Sequence, residues 1–308
     1  MAKKKTSAMT YLGGHSGRKG LLGVLAFPED YPADTEFTVF YTMLDDQWWQ
    51  QQFKFDIASV AYLADARHNT RAWWLAGKRG EIVEFSGGTP RVEKIATAGT
   101  GPGDKYGYLS QIRVIDGELF VCGYRRQVYR QQDGGWELIS RDILDNRKKG
   151  PWNGFEAIDG HSRNDLYAVG DEGEIWHFNG SEWQRCDSPT NQNLADVRCC
   201  DGKVWVCGDG GIILCGDRNG WEILWSTPDP AEQWWGIDCF MDETYVAGSL
   251  FLGKLQDGEI VAVDTGVQGT ITAQTLQVKD GILWSIGARH ILSFDGKRWT
   301  QHVCPENR

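Results

Sequence analysis

Apolar and polar residues alternate along most of the chain in runs of four to seven, and glycine punctuates the runs. The stretch "LYAVGDEGEIWHFNGSEW" at 166–183 is typical, with three glycines and four aromatics in eighteen positions. A period of two marks strands half-buried in antiparallel sheets, and the glycines between runs mark tight turns. The question is whether this stretch is a site or one copy of a unit.

It recurs. Aligned on a glycine, "AWWLAGKRGEIVEF", "LFVCGYRRQVYRQQDGGW", "VWVCGDGGIILCGDRNGW", "TYVAGSLFLGKL" and "ILWSIGARHILSFDGKRW" repeat its surroundings. The anchors are Gly77, Gly123, Gly170, Gly208, Gly248 and Gly287, spaced by 46, 47, 38, 40 and 39 residues. Three residues before each stands an aromatic: Trp74, Phe120, Tyr167, Trp205, Tyr245 and Trp284. For the copy at Gly208 the pattern predicts strands over 194–200, 203–208, 211–216 and 220–226. Four short antiparallel strands per unit of about forty residues describe a blade of a β-propeller. One further, divergent blade fits before Gly77, with "EFTVFYTMLDDQWWQQQFKF" as a hairpin preceded by "LLGVLAF".

The expected fold is therefore all-β, a single β-propeller of seven four-stranded blades. Its boundaries fall near 20–56, 57–100, 101–148, 149–190, 191–230, 231–270 and 271–308, after a basic, flexible tail over 1–19. The glycines serve turns, and the aromatics fill the space between blades, which widens away from the axis. The motif "NDLYAVGDEGEIWHFNGSEW" resembles bacterial propeller repeats of the D-V-W-A-V-G, G-x-I-x-H, D-G-x-x-W type, akin to the BNR and Ycf48-like repeats of the WD40-like superfold. The resemblance covers about 57–304. A partial Asp-box is present in Asp171, Gly173 and Trp176, with Val169 where that motif has serine. Such membership implies a propeller and leaves function open, because these repeats serve many roles.

Charge narrows the classes. The formal net charge is −10, but residues 1–19 hold five basic residues and no acid, so the rest carries 27 basic against 42 acidic residues, or −15. A body that acidic repels phosphate backbones, which argues against nucleic acid as a partner. No apolar run is long enough for a membrane helix. The eight cysteines include no C-x-x-C pair, and "GLLGVLAFPED" lacks a small-x-small cleavage site, so a cytoplasmic chain with reduced thiols is expected.

No catalytic constellation stands out. "GGHSGRKG" lacks the Gly-Lys-Ser/Thr end of a phosphate loop, "GTGPGDKYG" has a proline and no following helix, and no G-x-S-x-G elbow occurs. Cys122 and Cys207 fill a slot that is Ala, Val or Ile in other blades, and the histidines are scattered. No catalytic residue, cofactor or metal is expected.

What the repeat leaves over lies in the links between blades, which reach the same face as the turns between second and third strands. "TGPGDKYGY", "DILDNRKKGPWNGF" and "STPDPAEQWWG" bring Tyr106, Tyr108, Trp152, Phe155, Trp234 and Trp235 to that rim. The turns add Tyr124, Arg125, Arg126, Asp171, Asp209 and Arg289. Aromatics and arginines dominate interface hot spots, so a binding surface is expected. Each has a structural alternative: a tryptophan can wedge between blades, and of the adjacent Trp234 and Trp235 at most one can be core in an extended segment. The favoured expectation is a non-catalytic, protein-binding propeller, monomeric when unbound, whose acidic body suits a basic partner. Its concrete version is an immunity protein that blocks a bacterial toxin. The alternatives are a carbohydrate-binding or glycan-cleaving propeller and an assembly factor for a larger complex.

Overall fold

The computed structural model describes residues 7–65, 70–100, 105–147, 153–227, 229 and 231–308. Seven antiparallel sheets form, each from four strands consecutive in sequence. Blade 1 contains β1 (Met9–Arg18), β2 (Leu21–Pro28), β3 (Thr38–Leu44) and β4 (Gln47–Phe53). Blade 2 follows with β5 (Ile57–Asp65), β6 (Thr70–Gly77), β7 (Glu81–Phe85) and β8 (Arg91–Lys94), and blade 3 with β9 (Leu109–Ile115), β10 (Glu118–Gly123), β11 (Gln127–Gln132) and β12 (Gly135–Leu138). Blade 4 comprises β13 (Phe155–Ser162), β14 (Asp165–Gly170), β15 (Ile175–Phe178) and β16 (Trp183–Arg185). In blade 5 are β17 (Leu194–Cys200), β18 (Lys203–Gly208), β19 (Ile213–Asp217) and β20 (Gly220–Trp225). Blades 6 and 7 are β21 (Trp234–Phe240), β22 (Glu243–Gly248), β23 (Phe251–Gln256), β24 (Glu259–Ala262), and β25 (Thr275–Lys279), β26 (Ile282–Ile286), β27 (Ile291–Phe294), β28 (Trp299–His302). The first strands of successive blades touch one another around the ring, so they are innermost and the fourth strands outermost.

The first strand corrects an expectation. Met9–Arg18, assigned from sequence to a flexible tail, is β1 and pairs with β2. Its glycines are what hid it: a Cβ on Gly14 would lie 2.5 Å from the Gly23 carbonyl oxygen and 2.7 Å from Ile286 Cδ1. Close approach, not disorder, selects glycine there. The ring closes without strand exchange. Asn307 receives the Met9 N–H at 2.7 Å and donates to the Met9 carbonyl at 2.9 Å, and the Tyr11 hydroxyl accepts the Cys304 N–H at 3.3 Å.

The core lies between neighbouring blades. Leu119, Val121 and Tyr129 of blade 3 pack on Trp74, Ala76 and Ile82 of blade 2, and the same layer recurs around the ring. Cys122 and Cys207 are fully buried, as their apolar slot predicts.

The innermost strands have no sheet partner on the channel side, and polar side chains satisfy their free N–H groups. Gln111 accepts from Ile158 N–H (2.9 Å), Asp159 from Cys199 (3.0 Å), Asp196 from Ile237 (3.2 Å) and Asp238 from Val278 (2.8 Å), each reaching the next blade. Gln277 accepts the Ser16 N–H across the seam between blades 7 and 1. Arg198, buried, bridges Asp196 at 2.7 Å and Asp238 at 3.4 Å, while Arg113 pairs with Asp159 at 3.1 Å. This polar girdle is edge-strand chemistry: buried backbone donors must be paired. A second correction sits at its end. Cys200 and Cys239, on adjacent innermost strands, form a disulfide, where reduced thiols were expected. Their pairing is set across blades, so no local spacing reveals it. No helix among the described residues is long and apolar enough to cross a membrane.

Candidate functional site

One face of the ring carries both the links that enter each blade and the turns between second and third strands. Backbone bonds tie these together: Tyr124 N–H to the Tyr108 carbonyl (2.9 Å), Asp171 to Gly154 (3.2 Å) and Asp209 to Asn193 (2.9 Å). This face is the mouth of the channel. The innermost strands enter it with a register shift in six blades, between Tyr11/Gly13, Ile57/Ser59, Phe155/Ala157, Leu194/Asp196 and Trp234/Gly236 and at the start of β9. The shift inserts Leu12, Ala58, Glu156, Ala195, Trp235 and Ser110, one unpaired residue per blade.

Two of these bulge residues are large and exposed, Leu12 at 46% and Trp235 at 42%. Tyr124 (42%) and Leu250 (66%), both in turns of this face, complete an apolar set that water reaches. Tyr108 meets Tyr124 edge-on at 6.0 Å. Glu156 is half-buried and, among the described residues, makes no hydrogen bond or ion pair. Burial raises its carboxyl above the ordinary range, and Asp171 adds to the rise. Asp171, which accepts the Gly154 N–H at 2.8 Å, is raised by the same loss of water, with Glu174 and Glu172 contributing. The Tyr124 hydroxyl is pushed up by burial and by the Glu156 and Asp171 carboxylates. The mouth is aromatic, apolar and acidic at once.

The expected rim residues divide. Trp235, Tyr124, Tyr108 and Asp171 stand at the mouth. Tyr106 is half-buried under the Arg125 guanidinium at 5.7 Å. Asp209 accepts the Asn193 side-chain amide at 3.0 Å. Arg289 is half-exposed and pairs with Glu29 of blade 1. Trp152 lies outside the described residues.

Four expectations are corrected. Phe155 is fully buried in the layer between blades 3 and 4 and stacks on Trp183. Trp234 is buried at 1%, donates its indole N–H to the Gly211 carbonyl at 2.7 Å and packs on Trp225 and Phe251. The bulge decides between the adjacent tryptophans: Trp234 pairs with Gly248, and Trp235 swings out to reach Ser249 Oγ at 3.0 Å. Arg126 makes a two-pronged bond to Glu174 of blade 4, both contacts at 2.6 Å, and lies over Trp176. Burial alone would raise Glu174, but the Arg126 bond and charge outweigh it and the carboxyl is lowered. Arg125 donates to the Asp145 carbonyl at 2.6 Å and the Lys105 carbonyl at 3.2 Å. Both arginines thus tie links to blades instead of facing a partner.

Sequence reasoning missed Glu156, Leu12 and Leu250. Only the bulges and the closing of the ring turn the first two to the mouth, and no sequence pattern marks a bulge here. Two larger cavities fall elsewhere: a groove of 530 Å³ between the outer parts of blades 2 and 3, beside Trp74, Arg91 and Glu118, and one of 540 Å³ between blades 6 and 7, beside Tyr245, Lys254 and Trp299. A smaller one of 190 Å³ near Tyr108 is edged by Glu36, Asp56 and Arg79. Among the described residues no three His, Cys, Asp or Glu side chains converge as metal ligands. His177 is buried and bonded to Asp165 at 2.7 Å.

Comparison with known proteins completes the description. No model of an established protein family matches the chain. Among solved structures, virginiamycin B lyase of Staphylococcus aureus, crystallised as an inactive form with quinupristin, superposes with a TM-score of 0.68 at 12% identity over 94% of both chains. The WD40 β-propeller domain of Doa1 gives 0.65 at 12% over 94% and 95%, and YCF48 bound to a D1 peptide gives 0.62 at 14% over 94% of each. Likeness at that identity establishes the propeller and nothing about ligands. A curated relative says more: the immune protein Tsi7 of Pseudomonas aeruginosa is 35% identical over 227 residues, 73% of this chain and 74% of that protein. The chain belongs to the family of the immune protein Tsi7.

Proposed function

We propose that this propeller is an immunity protein that binds a toxin through its channel mouth and blocks it by occupation, with no chemistry of its own. The kinship with Tsi7 carries the reading. The mouth supports it, since Trp235, Tyr124, Leu250 and Leu12 present exposed apolar side chains on one face. Patches of that kind on a folded protein mark interaction surfaces. The net charge of −10 and the half-buried Glu156 and Asp171 suit a basic toxin surface, through steering and complementary charge.

The test is affinity capture from the native host, comparing wild type with Trp235→Ala/Tyr124→Ala. One stoichiometric protein, retained by wild type and lost by the folded double variant, together with protection of sensitive cells by wild type alone, supports the reading. Full protection by the double variant overturns the choice of face. The cytoplasmic location remains part of the reading, with the Cys200–Cys239 bond against it, because such bonds belong to oxidising compartments. Alkylation of thiols in intact cells distinguishes the two: modification of both cysteines supports the cytoplasm.

A further inference from the structure

The outermost strands of a propeller are sheet edges, and six of the seven here are guarded in ordinary ways. β8, β12, β16, β24 and β28 are short, three or four residues each, and β8 alone carries Arg91, Glu93 and Lys94. β20, at six residues, carries Glu222. β4 differs. It runs seven residues, Gln47–Phe53, has no ionisable side chain, and exposes Trp49 at 52%. No bulge interrupts its pairing with β3. A long, regular, uncharged edge is a template for another strand.

We infer that β4 pairs with β4 of a second copy of this chain, antiparallel about a two-fold axis at Gln50, joining two four-stranded blades into one eight-stranded sheet. The occupant follows from chemistry. The chain carries −10, so two copies approach at least cost along a strand with no charge of its own, and the Glu306 carboxylate beside it already accepts the Gln50 side-chain amide at 3.4 Å. With the axis at Gln50, Trp49 faces Gln51 and Trp48 faces Gln52 of the other copy. A glutamine amide both donates and accepts, so like can pair with like. The same register sets Asp46 of each copy opposite Lys54 of the other, an opposite-charge pair closing both ends of the ladder. Asp46 sits in the turn before β4 with its side chain 84% exposed, and Lys54, just after β4, is exposed as well. A closed two-fold contact of this kind is the commonest form of self-association. It departs from the monomer expected from sequence and leaves the mouths of both rings free.

Sedimentation equilibrium on the full chain tests it. The expected mass rises with concentration toward twice 34.6 kDa. Gln50→Glu, which with the neighbouring Glu306 of each copy gathers four carboxylates about the axis, abolishes the rise. Lys54→Glu weakens association by about tenfold, turning two attractions into repulsions, and Asp46→Lys/Lys54→Glu restores it. Melting curves confirm that each variant folds, because all these side chains are exposed. A single-chain mass at every concentration overturns the inference, and so does a dimer indifferent to these substitutions. Toxin capture through the mouth is unaffected by Gln50→Glu, which keeps this inference separate from the proposed function.

Discussion

The two faces of the ring solve the same problem, turning a strand back on itself, in opposite ways. On the face away from the mouth, six hairpins close with two-residue turns whose residues both have positive φ: Asp45–Asp46, Asp116–Gly117, Asp201–Gly202, Met241–Asp242, Asp257–Gly258 and Asp280–Gly281. These match the right-handed twist of the strands and suit Asp and Gly. At the mouth, left-handed conformations fall on Arg125 (φ 58°), Arg126 (φ 62°) and Glu172 (φ 54°), residues that resist them. In blades 2, 4 and 5 the place of Arg126 is taken by Gly80, Gly173 and Gly211. The mouth holds its strained residues with bonds between blades, such as Arg126 to Glu174 and the Asn153 amide to Glu172 (3.0 Å) and Glu174 (3.1 Å). One face is built from local preference, the other from tertiary restraint, and the restrained face carries the exposed Tyr124 and Trp235.

The largest effects should separate structure from binding at the mouth. Arg126→Ala strands the buried Glu174 carboxylate and is expected to cost about 3–5 kcal/mol in denaturant unfolding. Arg126→Gly should cost about 1 kcal/mol less, because glycine relieves the left-handed strain. Trp234→Ala should also cost about 3–5 kcal/mol by opening a cavity. Its neighbour Trp235→Ala should change stability by no more than about 0.5 kcal/mol while toxin capture is lost. Equal stability losses at the two tryptophans would erase the distinction drawn between them.

The opposite face offers intermediate effects. Cys200 ends β17 beside the Asp201–Gly202 turn, and Cys200→Ser should lower stability by about 2–4 kcal/mol, given the 39-residue separation. Gly202→Ala meets no atom within 4 Å, yet φ there is +72°, so about 1–2 kcal/mol is expected from backbone strain alone. Neither change should alter binding at the mouth.

Acid sharpens the contrast further. Burial lowers His15, His290 and His302, with Arg113, Arg198 and Lys279 lowering His15 still more. Their unfolded forms take up protons first, so stability should be level above the ordinary histidine range near 6.5 and fall as pH drops through it. A further loss should follow at lower pH. Arg147 holds Asp145 down to about 2, and its contribution, present above the ordinary aspartate range, is lost as pH falls toward that value. The mouth runs the other way. Glu156 and Asp171 are raised, so their charged forms weaken the fold at neutral pH. Glu156→Gln should therefore raise the melting temperature slightly at pH 7 and weaken capture of a basic toxin. Pressure of that sign, stability set against binding, is expected at a functional surface.

The propeller was legible because its signals are local and repeated. An anchor glycine, an aromatic three residues before it and an apolar-polar alternation occur six times, and six of the hairpins away from the mouth announce themselves with Asp-Gly. The first strand was not legible, because its channel side is polar and its glycines serve contacts with Val24 and Ile286 that are distant or unknown in sequence. Likewise, alternation required that one of Trp234 and Trp235 face out, and only the bulge at the entry to β21 settled which. Arg125 and Arg126 look like partner-seeking residues until Glu174, 48 residues beyond Arg126, is brought beside them. By itself the sequence determined seven blades, the strand order within blades 2 to 7 and the face where links and turns meet, since these follow from periodicity and turn chemistry. Which side chains reach that face, how the ring closes through Asn307 and Met9, and that Cys200 meets Cys239 were decided by the tertiary structure, because they depend on contacts between blades that no local pattern encodes.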